Sequence, residues 1–404
     1  MSCSKAPVHT EPVQSEGVTR KPKVLQVITH LALGGAEEVA ISLAESLHQD
    51  VDFTFFVVQG GPRSEIGRDF YLRLQACNIP VYTGTMVPMK LGGAMVAGLR
   101  LNRLIWRVRP DIIHLHTEIP ETTYACATLF GLPGPMKLVR TIHNTSLWPA
   151  WARIGAWAER RLGGARVGSV SKGGLDGLMR FQDAYRIPRT PEQQSQVIYA
   201  GVSRDEPRGP GPATLNGDGV PVRVLFAGRF EYQKGVDLIP EIVEQAAHLT
   251  TRPVELHIAG SGTFERGLRD WVATQRTSWK ITIGPPIPNL AAYLNNGNQD
   301  LILMPSRFEG LSLVAVESLM AGVPIIATKI AGLQEVFHGE YALLAEAGDM
   351  KGLAALLALA INDLEGATAE ALAQRPTMFD RFSQRGMGTN YLQLYQRALV
   401  DAPT

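Results

Sequence analysis

Short apolar runs alternate with stretches of helical spacing along most of the chain. In the first half, KVLQVITHL at 23–31, VDFTFFVVQ at 51–59 and DIIHLH at 111–116 are nearly continuous apolar runs of strand length. Runs of this kind are typical of strands that are buried on both faces, as in a parallel sheet. Helical spacers between such strands predict right-handed βαβ units.

A proline- and glycine-rich stretch divides this pattern into two halves. Residues 203–221 read SRDEPRGPGPATLNGDGVP, a composition typical of a linker. The strand pattern then starts again with VRVLFAG at 222–228. We therefore predict two Rossmann-like, doubly wound α/β domains that face each other across a cleft, an N-terminal one over 23–202 and a C-terminal one over 222–378.

The two ends of the chain carry different signals. Residues 1–22 are polar, lack the apolar segment of a signal peptide, and are predicted to be a disordered tail. Residues 379–404 contain the spacing of a long helix after the second sheet is complete. The sequence contains no run of about 18 uninterrupted apolar residues, so we expect no membrane-spanning helix.

Composition narrows the class of protein. The three cysteines, Cys3, Cys77 and Cys126, are far apart, which favours a reducing, cytoplasmic compartment without a disulfide framework. The net charge of +1 is unevenly distributed: residues 1–200 carry +6 (22 Lys and Arg against 16 Asp and Glu), and residues 201–404 carry −5 (17 against 22). The basic half could face an anionic membrane or a phosphate-bearing ligand, or the imbalance could be an accident of the surface.

Several residue clusters directly follow predicted strands, at the carboxyl ends where parallel sheets bind ligands. Gly34 and Gly35 would let backbone N–H groups approach an anion, or would form only a tight turn. Arg229 and Lys234, in GRFEYQKG, would bind a diphosphate, or would be solvated surface cations. The sequence GSG at 260–262 would approach a ligand or form only a loop turn.

Two glutamates bracket a short apolar run after the predicted strand LILMPS. Glu309 falls in the loop that follows the strand, and Gly310 permits a close approach there. Ser312 is predicted to cap a helix over 313–320, and Glu317 would lie just over one turn into that helix. Carboxylates accept hydrogen bonds from paired hydroxyls such as those of a sugar or a ribose. Surface glutamates beside a buried apolar face would give the same spacing.

The histidines admit two interpretations. His143 ends a predicted strand and would face the cleft, or it would be a hydrogen-bonded structural histidine. His114 and His116 alternate on one face of a strand and could meet at a metal ion. No third ligand lies at a suitable spacing, so we predict no metal site.

Taken together, these clusters resemble the retaining glycosyltransferases of family 4, which have the GT-B fold. The resemblance covers residues 23 to 400, and in this family the tail helix of 379–404 crosses back to the first domain. Each motif is short, but their order and their placement at strand ends are specific. The motifs are GGAE at 34–37, DIIHLH, TIHN, VS at 170–171, GRFEYQKG, GSG, and E-x7-E at 309–317 with AGVPIIAT and AGLQE after it.

The resemblance implies a role for each cluster. The N-terminal domain would be the acceptor side and the C-terminal domain would bind the nucleotide sugar. Arg229 and Lys234 would hold the donor diphosphate, and Glu317 would bind the ribose hydroxyls. Catalysis would involve Glu309 and His143 with the two cations. The residues placed around the donor sugar and phosphates are Glu309, His143, Gly34, Gly35 and the backbone of Gly310, Leu311 and Ser312.

The same resemblance implies the reaction. A hexose-type sugar would move from a nucleoside diphosphate sugar to a sugar or lipid-linked hydroxyl acceptor, with retained configuration and without a metal or cofactor, in polysaccharide, glycolipid or cell-envelope synthesis. No nucleic acid partner is implied. One departure stands at YAGVS (199–203), where Ala200 and Ser203 replace the asparagine and acidic residue of many relatives. Polar contacts from those two positions are therefore in doubt.

The acceptor side leaves alternatives open. Residues 146–166 place Trp148, Trp151 and Trp157 beside four arginines, which suits a helix at a lipid surface, a sugar channel, or a packed helix with a basic outer face. Peripheral attachment to the inner face of a membrane is one hypothesis. The rival functions are a nucleotide-sugar epimerase or hydrolase of the same architecture and a non-catalytic nucleotide-sugar-binding protein.

Overall fold

A computed structural model gives the structure of most of the chain. The predicted tail at 1–22 and linker at 203–221 fall largely outside the described part, as do Cys3 and Ser203. The described residues are 20–32, 34–61, 65–134, 136–202 and 219–400.

The first lobe is built on a seven-stranded sheet whose neighbouring strands all pair in parallel. Its strands are buried on both faces, which explains the continuous apolar runs in their sequences. In the order β3-β2-β1-β4-β5-β6-β7, the strands are β1 (Lys23–Ile28), β2 (Asp52–Gln59), β3 (Val81–Thr85), β4 (Ile112–His116), β5 (Lys137–Ile142), β6 (Arg166–Ser169) and β7 (Ser195–Val197).

Helices cover both faces of this sheet. The two largest apolar clusters of this lobe lie on opposite faces of the sheet, as expected for helices that alternate with parallel strands. The helices are α1 (Gly35–Leu47), α2 (Glu65–Ala76), α3 (Gly93–Val108), α4 (Glu118–Ala127), α5 (Ala152–Glu159) and α6 (Lys172–Ala184).

The second lobe repeats the plan with a six-stranded parallel sheet and one large apolar cluster. The strand order is β10-β9-β8-β11-β12-β13, with β8 (Val222–Ala227), β9 (Val254–Ala259), β10 (Lys280–Gly284), β11 (Leu301–Met304), β12 (Ile325–Lys329) and β13 (Leu344–Glu346). Its helices are α7 (Ile239–Ala247), α8 (Glu265–Thr274), α9 (Leu290–Asn295), α10 (Leu313–Met320), α11 (Ala331–Gln334), α12 (Met350–Asn362) and α13 (Leu364–Arg381), and the chain then continues into α14 (Gln384–Val400). The predicted α/β class with two doubly wound sheets is confirmed.

Each sheet reverses its strand order at its first strand. In the first lobe β1 lies between β2 and β4, and in the second lobe β8 lies between β9 and β11. At such a point the loops leave in opposite directions and open a crevice at the carboxyl ends of the strands. The fold therefore provides one crevice in each lobe.

The segment predicted as one tail helix from residue 379 is divided. Helix α13 ends at Arg381, and α14 begins at Gln384 and packs against α1 and the first sheet. At the break, the N–H groups of Val202 and Gln384 donate to the carbonyls of Phe382 (2.9 Å) and Val202 (3.2 Å). The chain therefore crosses from the second lobe to the first at a short backbone bridge.

Within the described ranges, the membrane-span criteria of length and apolar composition are met by no single helix, but only by α12 and α13 taken together, a pair bent by 102°.

Candidate active site

A cleft of about 820 Å³ lies between the two lobes, where the crevices of both sheets open. Strands β1, β4 and β5 end on one side of it, and strands β8, β9 and β11 end on the other. Every residue that the sequence singled out for catalysis or donor binding lines this cleft: Gly34, Gly35, His143, Arg229, Lys234, Glu309, Gly310, Leu311, Ser312 and Glu317.

On the first lobe, the glycine pair starts α1. Gly34 has an extended backbone, and a side chain there would overlap with the carboxylate of Glu37. That carboxylate bonds His30 (3.1 Å between Oε1 and Nδ1), and this bond raises the pKa of His30. At Gly35 an added Cβ would meet one atom, a methyl group of Leu313 in the opposite lobe, at 4.0 Å. Gly35 therefore brings uncrowded backbone to the cleft beside α10, whereas Gly34 makes room for the Glu37 carboxylate.

On the second lobe, a cation and a carboxylate are joined. Lys234 Nζ lies 2.6 Å from Glu309 Oε1, and the hydroxyl of Ser306 donates to the same oxygen at 2.9 Å. Glu309 is 5% exposed, so the pair has little contact with water. The second carboxylate oxygen, Oε2, has no hydrogen bond from the described residues. The arrangement gives Lys234 a fixed position and leaves Oε2 to accept a bond from a ligand.

Arg229 supplies the second cation of the cleft. Its side chain is exposed and donates to the amide oxygen of Gln233 at 2.9 Å. No carboxylate of the described ranges pairs with it. An unpaired guanidinium offers two parallel donors to phosphate oxygens, which is the geometry that arginine uses for phosphate recognition.

The glycines around this loop are required for packing. Gly235 has a φ of +62°, and a Cβ there would overlap with the carbonyl oxygen of Pro305. In the GSG motif, a Cβ at Gly260 would overlap with the carbonyl of Gly228, and one at Gly262 would press on the backbone of Phe230. The GSG motif thus supports the Arg229 loop from behind, which favours the loop interpretation of that motif.

Helix α10 begins at the cleft as predicted. Ser312 is its N-cap and accepts from the N–H of Ala315 at 3.4 Å. Just before it, Gly310 touches the first lobe, because an added Cβ would overlap with the carbonyl oxygen of His143. A glycine is therefore needed at the point where the two lobes meet.

Glu317 is a partly buried carboxylate on α10 with no hydrogen-bond partner among the described residues. Burial raises its pKa to about 8, and the negative charge of Glu38 across the cleft adds to the effect. A ligand with hydroxyl donors would supply the bonds that the protein does not.

His143 is neutral. Burial lowers its pKa to about 3, and its Nε2 lies 3.1 Å from Nδ1 of His116. An imidazole with so low a pKa is a weak base, so near neutral pH it keeps a single ring proton and can hydrogen-bond to a sugar, but does not take up a second proton. His114 and His116 both hydrogen-bond to protein side chains. The described ranges hold no group of three potential metal ligands.

The lobes are also joined by Glu335, a glutamate that had no predicted role. The carboxylate of Glu335 accepts from the backbone N–H groups of Lys172 (2.8 Å) and Gly173 (2.7 Å) at the start of α6. A carboxylate at a helix N-terminus is favourable because it satisfies free N–H groups and meets the positive end of the helix dipole. The signal in the sequence that could have indicated this role is the position of Glu335 in AGLQE, which follows the other cleft motifs.

The tryptophan and arginine segment does not form one exposed aromatic face. Trp148 is buried at 4% exposure and packs on Gly155, where any side chain would overlap with the indole ring. Trp157 is partly buried under Arg161, whose guanidinium carbon lies 4.3 Å from the ring centroid. Trp151 is the exposed member, at 45%. The three rings therefore cannot insert together into a lipid surface.

Comparisons with known proteins agree with this geometry. The Glycosyltransferase Family 4 model matches residues 33–206, and the Glycosyl transferases group 1 model matches residues 215–375. The glycogen synthase of Mycobacterium tuberculosis is 28% identical over 334 residues, which cover 77% of this chain and 75% of that protein. The D-inositol 3-phosphate glycosyltransferase of Pseudarthrobacter chlorophenolicus is 38% identical over 268 residues, 59% of each chain.

A solved structure shows the same fold at low sequence identity. The Anabaena protein HepE, crystallised in complex with UDP-glucose, superposes with a TM-score of 0.73 at 19% identity, over 93% of this chain and 99% of that one. Two family models in sequence order, one for each lobe, together with this fold, settle the assignment. The chain belongs to the family 4 glycosyltransferases of the GT-B fold.

Proposed function

We propose that this chain moves a hexose-type sugar from a nucleoside diphosphate sugar to a hydroxyl acceptor, with retained anomeric configuration and without a metal. The observation that carries the proposal is the charge pattern of the cleft. Arg229 and Lys234 lie on the second lobe beside the N-terminus of α10, where a diphosphate would meet positive charge from three sources. The Glu309 carboxylate and the Glu317 carboxyl group offer oxygens to the hydroxyls of the sugar and the ribose.

In the proposed reaction, the bond between the anomeric carbon and the donor phosphate oxygen breaks while the acceptor oxygen bonds to the same face of that carbon. Negative charge develops on the leaving diphosphate, and Arg229, Lys234 and the α10 N-terminus stabilise it. The acceptor proton passes to the leaving phosphate oxygen. His143 takes no proton in this scheme, because burial holds its pKa at about 3.

The acceptor is proposed to be a sugar or lipid-linked hydroxyl compound of polysaccharide, glycolipid or cell-envelope synthesis, met at the inner face of a membrane. The excess of cations in residues 1–200 and the exposed side chains of Trp151 and Ile154 support this part. Sedimentation with anionic vesicles at low and high salt tests it. Absence of binding at low salt contradicts the membrane proposal and leaves the transfer reaction untouched.

The transfer itself is tested in two stages. UDP-, GDP- and ADP-sugars are first screened for thermal stabilisation, since a ligand at about 100 times its Kd adds about 2.7 kcal/mol to the free energy of unfolding. Release of nucleoside diphosphate is then followed with candidate acceptors, with EDTA present, and the product anomer is determined by NMR. Release of free or epimerised sugar without any acceptor would favour the hydrolase or epimerase alternative. Loss of turnover with EDTA would contradict metal independence.

A further inference from the structure

A chain of buried polar side chains runs from the C-terminal helix to the cleft. Gln26 on β1 lies at its centre, with His116 on β4 to one side and Tyr395 on α14 to the other. Gln26 and Tyr395 are fully buried, and His116 is 1% exposed. Polar groups in such an interior need hydrogen-bond partners, and here they find them in each other.

The direction of the bonds follows from the orientation of the Gln26 amide, because exchanging its nitrogen and oxygen would reverse every bond of the chain and move the His143 proton to Nδ1. The Gln26 amide N–H donates to the Tyr395 hydroxyl at 3.1 Å, and the Gln26 carbonyl oxygen Oε1 lies 2.7 Å from Nε2 of His116. An amide oxygen only accepts, so the proton of His116 is on Nε2 and its Nδ1 carries the lone pair. Nδ1 lies 3.1 Å from Nε2 of His143, which must therefore be the donor. The proton of His143 is then on Nε2.

A second branch leads away from the cleft and agrees with this direction. The Tyr395 hydroxyl lies 2.8 Å from Nδ1 of His114, and Nε2 of His114 lies 2.7 Å from the Thr141 hydroxyl. Thr141 in turn lies 2.8 Å from the Tyr391 hydroxyl. With Tyr395 as donor to His114, each group in the branch donates one bond to the next. The branch thus needs no charged histidine.

We propose that Gln26, His116 and Tyr395 are positioning residues that fix the tautomer of His143, so that its Nδ1 faces the cleft as a hydrogen-bond acceptor for a hydroxyl of the transferred sugar. The contact with the sugar rests on the proposed transfer reaction. The tautomer of His143 does not, because it follows from hydrogen bonds within the protein. Nδ1 has no hydrogen-bond partner in the described ranges, and His143 lines the cleft. Burial also lowers the pKa of both His116 and His143, which keeps each ring neutral with a single proton.

The tautomer can be measured without any substrate. The full chain, labelled with 15N-histidine, gives two-bond 1H–15N correlations, and the signal absent from a His143→Gln variant is assigned to His143. We expect an unprotonated Nδ1 and a protonated Nε2 from pH 6 to pH 9. A protonated Nδ1, or an equal mixture of the two tautomers, overturns the proposal even if the enzyme transfers sugar.

Two tyrosines on the same helix give a matched pair of variants. Tyr395→Phe removes the hydroxyl that orients the Gln26 amide, so we expect a mixed His143 tautomer and a KM for the donor about three- to tenfold higher, the factor for one neutral hydrogen bond. Tyr391→Phe removes the hydroxyl at the end of the other branch, and we expect an unchanged tautomer and a KM within twofold of wild type. Equal increases in both variants, with the tautomer unchanged, indicate a packing role and contradict the proposal.

Failure of the proposed function gives a different result. If no nucleotide sugar binds or turns over, the transfer reaction is wrong, while the NMR spectrum still reports the His143 tautomer. If transfer occurs and the Tyr395→Phe variant behaves as wild type in both KM and spectrum, the positioning role alone is wrong.

Discussion

The two lobes have the same sheet plan but present different chemistry to the cleft. In the first lobe, the turn after the first strand leads into α1 at Gly34 and Gly35, and the carboxylate of Glu37 on α1 is bonded to His30. In the second lobe, the turn after the first strand carries the two cations Arg229 and Lys234. The segments that follow the first strand of each sheet thus differ in charge: the second lobe carries two cations there, and the first lobe carries a glycine pair.

This difference indicates a division of labour. In the proposed reaction, the second lobe would supply the fixed charges that an anionic leaving group needs, and the first lobe would supply the uncrowded backbone of Gly35 and a neutral imidazole. Contacts at Gly310 and Glu335 hold the two faces together. Variants that remove a charge, fill a space or weaken a contact on one face of the cleft test this division.

The largest effect is expected from loss of a cation on the second lobe. Lys234→Ala removes a positive charge from the proposed diphosphate site and leaves the buried Glu309 carboxylate without its ion pair. We expect kcat/KM to fall about 10²- to 10³-fold, as when a group that stabilises transition-state charge is removed. Lys280→Ala is the control, because Lys280 pairs with Glu255 on the surface of the same sheet. Kinetics like those of wild type would remove Lys234 from the mechanism.

A smaller loss is expected from added bulk where the lobes meet. In Gly310→Ala the new methyl group overlaps with the His143 carbonyl oxygen. The two lobes must therefore move apart at this point to relieve the overlap. Because a displacement of about 1 Å can reduce rate about 10²-fold, we expect kcat to fall by that order. The control is Gly267→Ala on α8, where an added Cβ meets nothing within 4 Å. If both variants turn over equally, close contact at residue 310 is not needed for catalysis.

Glu317 should make stability depend on pH. Its pKa in the folded protein is about 8, above the ordinary value of 4.5, so between these values the folded state holds a proton that the unfolded state has lost. The free energy of unfolding should therefore fall as pH rises from about 4.5 to 8. Urea unfolding at several pH values measures it. Glu317→Gln should show a shallower decline, and an identical slope would place the Glu317 pKa near its ordinary value.

The smallest effect is expected at the contact between Glu335 and α6. Glu335→Gln keeps one acceptor but removes the charge from the helix N-terminus, which should lower the free energy of unfolding by about 1 kcal/mol. Glu340→Gln, an exposed glutamate nearby, is the control. Urea unfolding of both variants measures the difference. Equal stability of the two variants would show that the charge of Glu335 contributes nothing to joining the lobes.

Much of the fold could be predicted because strands buried on both faces have nearly continuous apolar sequences. Ser312 and the helix after it were also predictable, since an N-cap depends on local residues. The division between α13 and α14 was not, because the apolar spacing continues across Phe382. The burial of Trp148 depends on Gly155, whose lack of a side chain has no periodic signature.

The site shows the same limit. Position at the carboxyl end of a strand was enough to bring Arg229, Lys234 and Glu309 to one cleft. The partners of each side chain were not predictable, because they come from distant parts of the chain. Gln26 and Tyr395 are 369 residues apart in sequence, and no local pattern connects them. Likewise, local sequence does not specify that Lys234 bonds Glu309.

The central claim is that the cations of the second lobe bind the diphosphate of the donor. The most direct measurement is a crystal structure of the chain with the nucleoside diphosphate that gives the largest thermal stabilisation. We predict phosphate oxygens within about 3 Å of the Arg229 guanidinium and of Lys234 Nζ, the usual length of a charge-assisted hydrogen bond. A diphosphate bound elsewhere, with both cations facing bulk water, would contradict the account.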